Sequence, residues 1–202
     1  YSGQQESGSV GIASRGNDGA ITFRDWHPVD AEEYGYVVAD PKDPDIIFGG
    51  KISRYDKRTA QSVNISPDPL NLGHYRFIRT APIVFSPVDN QTLYYAGNVL
   101  FKTRDRGNSW QVISPDLTRK TYDVADCIGV YRKADMKDMP ARGVIYTIAP
   151  SPLDSNLLWV GTDDGLIQVT QDGGISWDNV TPPGMTSWSK VSLMDASHTD
   201  KR

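Results

Sequence analysis

The sequence predicts an all-β protein made of β-propeller blades, each of four short antiparallel strands, in an incomplete propeller. Three features carry that reading. The first is a repeated phrase: a small residue, Pro, any residue and Asp, then a short gap, an apolar strand and Gly. It occurs in ADPKDPDIIFGG (39–50), FSPVDNQTLYYAGN (85–98) and PSPLDSNLLWVGTDDG (150–165). The second is a box of four fixed residue types, Thr-x-Asp-x-Gly-x-x-Trp. It is met at Thr103, Asp105, Gly107 and Trp110 and again at Thr170, Asp172, Gly174 and Trp177. The third is punctuation: 18 Gly and 13 Pro interrupt the chain every few residues and leave room for strands rather than long helices. A repeat of this length built from short strands is the pattern of a propeller blade, which buries its faces only against neighbouring blades.

The blades follow from the phrase and the box. Residues 1–30 hold a strand at VGIAS (Val10–Ser14), a Gly/Asn/Asp turn and ITFRDWHPV (21–29), the back part of a blade. Complete blades are expected at 34–67, 79–117 and 143–183, with an insertion at 118–142 rich in charge and turn residues. Residues 188–200 repeat the opening strand and predict the first strand of a further blade. In the first complete repeat the box is degraded: Asp56 is kept, but Arg58 stands in place of Gly and Gln61 in place of Trp. The exit turn after each box recurs as NISPD (64–68), VISPD (112–116) and VTPPG (180–184).

The box residues make a hairpin turn that staples itself. Short Thr and Asp side chains accept hydrogen bonds from turn N–H groups. The glycine supplies a positive φ, and the tryptophan is expected to fold into the core between sheets. Asp105 and Asp172 are therefore read as structural, not as acid/base carboxylates.

Composition narrows the functional classes. A net charge of −4 with both signs mixed offers no basic stripe for nucleic acid. No apolar run reaches membrane-spanning length, and no signal peptide is read in the chain. Cys127 is alone, and His27, His74 and His198 are widely spaced without Cys partners. No metal site and no cofactor are expected.

The stretches YRFIRTAPIVFSPVD (75–89), NVLFKTRDRGNSWQVISPDLTRKTYDV (98–124) and RGVIYTIAPSPLDSNLLWVGTDDGLIQVTQDGGISWDNVTPPGMTSWSKVSLMDAS (142–197) resemble bacterial BNR-repeat (Asp-box) propeller proteins of the glycosyl hydrolase-like and sortilin-type group. The resemblance covers nearly the whole chain. It implies an internal fragment of a longer protein that is exported to the periplasm or the cell exterior. Neither a trio of arginines set to clamp a carboxylate nor a Tyr–Glu nucleophile pair is recognisable, which sets the chain apart from sialidases.

If the box lies on the turn between a blade's third and fourth strands, the opposite face collects the ligand candidates. Those are Tyr75, Arg76, Arg79, Asn98, Tyr122, Asp163, Asp164 and Trp188. Asp163 and Asp164 could act as a general acid or a sugar ligand, although Asp-Gly is also a favoured hairpin turn. Arg76 and Arg79 could hold a carboxylate in two-point contact, and Tyr122, Asp123 and Asp126 combine aromatic and acidic character suited to sugars. The leading reading is a non-catalytic module that binds a protein, a peptide or a carbohydrate. The alternative is part of a glycoside hydrolase of sialidase or xyloglucanase type, and a purely architectural part of a larger protein is a third. Unpaired blade edges would favour self-association.

Overall fold

In a computed structural model, residues 1–4, 6–29, 33, 35–68, 73–121 and 141–201 are described. The first sheet contains β1 (Ser2–Gln4), β2 (Gly8–Ile12) and β3 (Trp26–Val29), paired in that order. A short 3-10 turn, Phe23–Asp25, leads into β3. The second sheet holds β4 (Val37–Asp40), β5 (Asp43–Gly49), β6 (Ser53–Asp56) and β7 (Gln61–Asn64). The third holds β8 (Ile83–Phe85), β9 (Leu93–Ala96), β10 (Leu100–Thr103) and β11 (Gln111–Val112). The fourth holds β12 (Ile145–Pro150), β13 (Leu158–Thr162), β14 (Ile167–Thr170) and β15 (Asp178–Asn179). Strands pair with their sequence neighbours, always antiparallel, in each of the three four-stranded sheets. These are propeller blades.

Two apolar layers join them. Ile46, Phe48 and Ile52 of the second sheet meet Ile83, Leu93, Tyr95 and Phe101 of the third. On the other side of the third sheet, Tyr94, Ala96 and Leu100 meet Ile145, Leu158 and Val160 of the fourth. Successive residues of β9 point to opposite faces, so covering both faces buries all four of them. The phenol of Tyr94 is pushed up to about 12 by this burial, with Asp89 adding to the shift.

The two boxes hold their turns as the sequence implies and then do something further. In the first, Thr103 Oγ1 accepts the N–H groups of Asp105 (3.3 Å) and Gly107 (3.1 Å) and donates to Asp105 Oδ1 (2.7 Å). The second repeats this with Thr170, Asp172 and Gly174. A fifth residue takes part in both. Ser109 donates its N–H and its hydroxyl to Asp105, and Ser176 does the same to Asp172. Serine before the tryptophan in both boxes is a signal present in the sequence that the four-residue pattern passes over.

Trp110 and Trp177 correct an expectation: both are half-buried rather than enclosed. Each ring packs on the core between sheets as expected, Trp110 against Tyr95 and Phe101 of its own sheet, but it lies at the margin of that core with its nitrogen directed to the preceding blade. Trp110 Nε1 donates to Ile65 O at 2.6 Å, and Trp177 Nε1 donates to Ile113 O at 3.0 Å. The box glycines approach the same two isoleucines. A Cβ built on Gly107 would lie 2.4 Å from Ile65 Cδ1, and one on Gly174 would lie 2.4 Å from Ile113 O. The box is thus a blade-to-blade clasp as well as a turn. Ile65 and Ile113 belong to the exit turns NISPD and VISPD, which gives that recurrent phrase its physical role. Trp26, placed by sequence at the same position of the first sheet, is 48% exposed, with no preceding sheet beneath it among the described residues.

Residues 188–200, expected to open a further blade, carry no strand. The Val191 N–H donates to Thr162 O at 3.1 Å, as the Ile145 N–H donates to Gly97 O at 2.8 Å one blade earlier. The segment therefore sits against the fourth sheet as an opening strand would. A ladder is missing because no strand lies beside it among the described residues.

Acid should loosen the clasp. The Ser109 hydroxyl, then the Ser109 N–H and the Thr103 hydroxyl, stabilise the charged Asp105 carboxylate and hold it down to about 2, against an ordinary value of 3.8. A depressed folded-state value means the contribution is complete above the ordinary value and is lost as pH falls from there through about 2. The thermal midpoint should drop across that window, and Asp105→Asn should flatten the drop. Superimposable pH profiles for the two proteins would overturn the assignment.

Candidate functional site

The face opposite the boxes is formed by the turns after β9 and β13 and by the connections that enter β8 and β12. Two of the sequence-selected polar residues there turn out to be clamps. Asn98 donates its N–H to Arg76 O (3.0 Å), and its Oδ1 accepts the Arg76 N–H (2.9 Å). Asp163 repeats the arrangement with Val144: its N–H donates to Val144 O (3.1 Å), and its Oδ1 accepts the Val144 N–H (2.8 Å). In each case one residue, through its backbone N–H and its side-chain oxygen, satisfies both backbone groups of a connecting segment.

Arg76 does hold a carboxylate, but one from this chain. Its guanidinium meets Asp116 Oδ2 at 2.8 Å, Thr118 Oγ1 at 2.9 Å and Gly143 O at 3.1 Å. Burial pushes the Asp116 carboxyl up, yet bonds from Thr118, Asn98 and Arg76 outweigh it and leave it below the usual range. Arg79 is exposed. Asp164 is 1% exposed and committed at both oxygens, to Thr162 Oγ1 (2.5 Å) and to the Arg119 N–H (2.8 Å). Its carbonyl accepts from Arg119 Nε at 2.7 Å and from the Trp188 N–H at 3.0 Å. The expectation of Asp164 as a surface acid or sugar ligand is corrected here, because the turn folds it inward to close the blade end. Tyr75 is corrected too: its ring packs edge-on to Phe101, centroids 4.9 Å apart, on the core between the second and third sheets. Tyr122, with Asp123 and Asp126, lies outside the described residues.

The same face retains a smaller set of groups with room to meet a ligand. Asp163 is half-buried; burial raises its carboxyl, the nearby Asp164 charge adds to this, and the Val144 bond opposes it. Lys190 Nζ lies 4.3 Å from the centroid of the Tyr146 ring, a cation–π contact. Tyr36 precedes the inner strand β4, and its hydroxyl is raised by burial and then by its neighbour Tyr146. Trp188 adopts a left-handed φ of 62° held by its bond to Asp164. Sequence reasoning missed Tyr36, Tyr146 and Lys190, since lone Tyr and Lys residues at strand ends have no motif. Among the described residues, no three His, Cys, Asp or Glu side chains gather as a metal site, and no helix is long and apolar enough to cross a membrane.

With this geometry in view, comparison with solved structures gives partial, low-identity likenesses. One is to the GH74 enzyme of Niastella koreensis, with TM-score 0.48, 16% identity, 81% of this chain and 24% of that chain. Another is to the GH74 xyloglucanase from Xanthomonas campestris, with TM-score 0.47, 19% identity, 74% of this chain and 21% of that chain. A third is to YCF48 bound to D1 peptide, with TM-score 0.26, 12% identity, 79% of this chain and 73% of that chain. The chain matches 24% and 21% of the length of the two GH74 proteins. No family model matches the sequence, and no curated protein matches it.

Proposed function

We propose that this chain belongs to a non-catalytic propeller module of the BNR/Asp-box kind, within a longer exported protein, that binds a protein, peptide or carbohydrate on the face opposite its boxes. The observation that carries the reading is the commitment of that face's carboxylates among the described residues. Asp164 and Asp116 are fully engaged, and Asp163 spends one oxygen on the Val144 backbone. Glycoside hydrolysis needs two carboxyl groups about 5–9 Å apart on either side of a sugar. Asp163 and Asp164 are chain neighbours, one half-exposed and one buried, and cannot flank a substrate. What the face offers instead is contact surface: Tyr36, Tyr146 with Lys190 on its ring, and one oxygen of Asp163.

Two measurements test this. The purified chain should show no turnover on aryl glycosides, sialosides or xyloglucan. Turnover abolished by Asp163→Asn but spared by Asp172→Asn would replace the binding module with a hydrolase. On glycan and peptide arrays, Tyr146→Ala and Lys190→Ala should each weaken capture by about fivefold or more, the loss of roughly 1 kcal/mol that an exposed cation–π group supplies. Capture that ignores both substitutions would remove the assignment to this face.

A further inference from the structure

A second groove lies on the other face, where the degraded box meets the next intact one. Aligning the boxes puts Arg54 at the Thr position, Arg58 at the Gly position and Gln61 at the Trp position of the second sheet's turn. None of the three can make the clasp seen at Gly107 and Trp110. All three line one cleft of about 460 Å³, together with Arg106 and Asn108 of the next box. That volume lies within the usual range for ligand sites, about 300–1,000 Å³.

The charges on the wall are unequal. Arg54, Arg58 and Arg106 face the cleft, with Asp56 as their counter-charge there. Arg58 bonds Asp56 through Nε (3.0 Å) and reaches Asp43 at 3.1 Å, and Arg106 bonds Asp40, which is almost fully buried, at 2.7 Å. Those carboxylates are thereby held behind or beside the arginines. Among the described residues, no carboxylate pairs with Arg54. Its Nη1 donates to Arg106 O (2.9 Å) and Asn108 Oδ1 (3.2 Å), which aims the guanidinium across the gap between blades. The remaining Arg54 donors form a planar edge suited to two-point contact with a carboxylate. This positive wall stands on a chain whose net charge is −4.

The shape of the site points to one class of occupant. β7 is the outer strand of its sheet, pairing only with β6, and all four of its residues are exposed. Gln61 and Val63 stand opposite Asp56 and Arg54 across the β6–β7 ladder, so alternate residues of both strands face the cleft. An extended polypeptide laid along β7 can satisfy its open backbone groups while every second side chain enters the cleft. We propose that this cleft binds an extended acidic peptide segment of a partner protein, with Glu or Asp side chains on Arg54, Arg58 and Arg106 and apolar residues on Val63. This inference is independent of the opposite face.

The test is fluorescence anisotropy of the chain with a fluorescein-labelled octapeptide of alternating Glu and Val, beside a Lys/Val peptide and a labelled oligogalacturonate. Saturable binding of the Glu/Val peptide alone is expected. Arg54→Ala should weaken it about tenfold, as expected for a charge-assisted two-point contact, and Arg54→Lys should restore only part because a point charge lacks the planar fork. Affinity should fall with added salt, and Tyr146→Ala should leave it unchanged. Circular dichroism confirms that each variant folds. Overturning results are no saturable binding of the Glu/Val peptide, equal binding of the Lys/Val peptide, or loss on Tyr146→Ala. Oligogalacturonate binding that competes with the peptide and depends on Arg54 would reassign the cleft to acidic sugars and overturn the peptide.

Discussion

Gly174→Ala should destabilise the chain by about 3 kcal/mol or more, whereas Gly173→Ala beside it should cost about 1 kcal/mol. Both residues have positive φ, 103° and 75°, so both substitutions meet the backbone penalty of a left-handed alanine. Only Gly174 also faces a wall. Its Cβ would lie 2.4 Å from Ile113 O and 3.0 Å from Ile113 Cβ, atoms of the neighbouring blade that move only if the blades part. The Cβ at Gly173 would meet a side-chain oxygen of Asn156 at 3.2 Å, which can swing away. Denaturant unfolding of the two variants measures the contrast. Equal losses would mean that the glycine serves its own turn only and that the clasp does not press on Ile113.

The second large effect is expected at Trp177. Truncation to alanine removes apolar contact with the core between the third and fourth sheets and an indole bond of 3.0 Å to Ile113 O. A fully buried tryptophan would cost about 3–5 kcal/mol. Because the ring is half-buried, we expect about 2–4 kcal/mol for Trp177→Ala, and about 1–2 kcal/mol for Trp177→Phe, which keeps a ring but loses the bond and some packing. The comparison separates packing from hydrogen bonding. A Trp177→Phe variant as stable as the parent would assign the whole effect to apolar contact. An unaltered Trp177→Ala curve would remove the clasp altogether.

The two variants probe the same interface from opposite sides, so their effects should not add. Gly174 and Trp177 both rest on Ile113, and once the blades separate at one the other has little left to lose. The cleft around Arg54 lies at the interface one blade earlier, beside the intact clasp of Gly107 and Trp110 on Ile65.

How much of this was legible in the sequence depends on the range of the interaction. Thr103, Asp105 and Gly107 lie within five residues of one another, so their spacing alone specifies a turn with its own donors and acceptors. The same is true of the second box, and the pairing of successive strands follows because short connections leave antiparallel neighbours as the accessible arrangement. Strand type and blade class were therefore readable without coordinates. The Ser109 and Ser176 bonds were readable too, had the pattern been extended by one residue.

What only the tertiary structure decided are the relations between repeats. Nothing within the box tells Trp177 to turn toward Ile113, 64 residues earlier, because the partner is a backbone carbonyl that any residue could supply. Nor does the Asp163-Asp164-Gly165 turn reveal that one carboxylate clamps Val144 and the other is buried on Arg119; that follows from packing two connections against one blade end. The gathering of Arg54, Arg58 and Arg106 has the same origin. Two of them come from one repeat and the third from the next, and only the stacking of blades sets them around a common space. Local chemistry determined the blades, and close packing between them determined which polar groups were consumed and which were left to face a ligand.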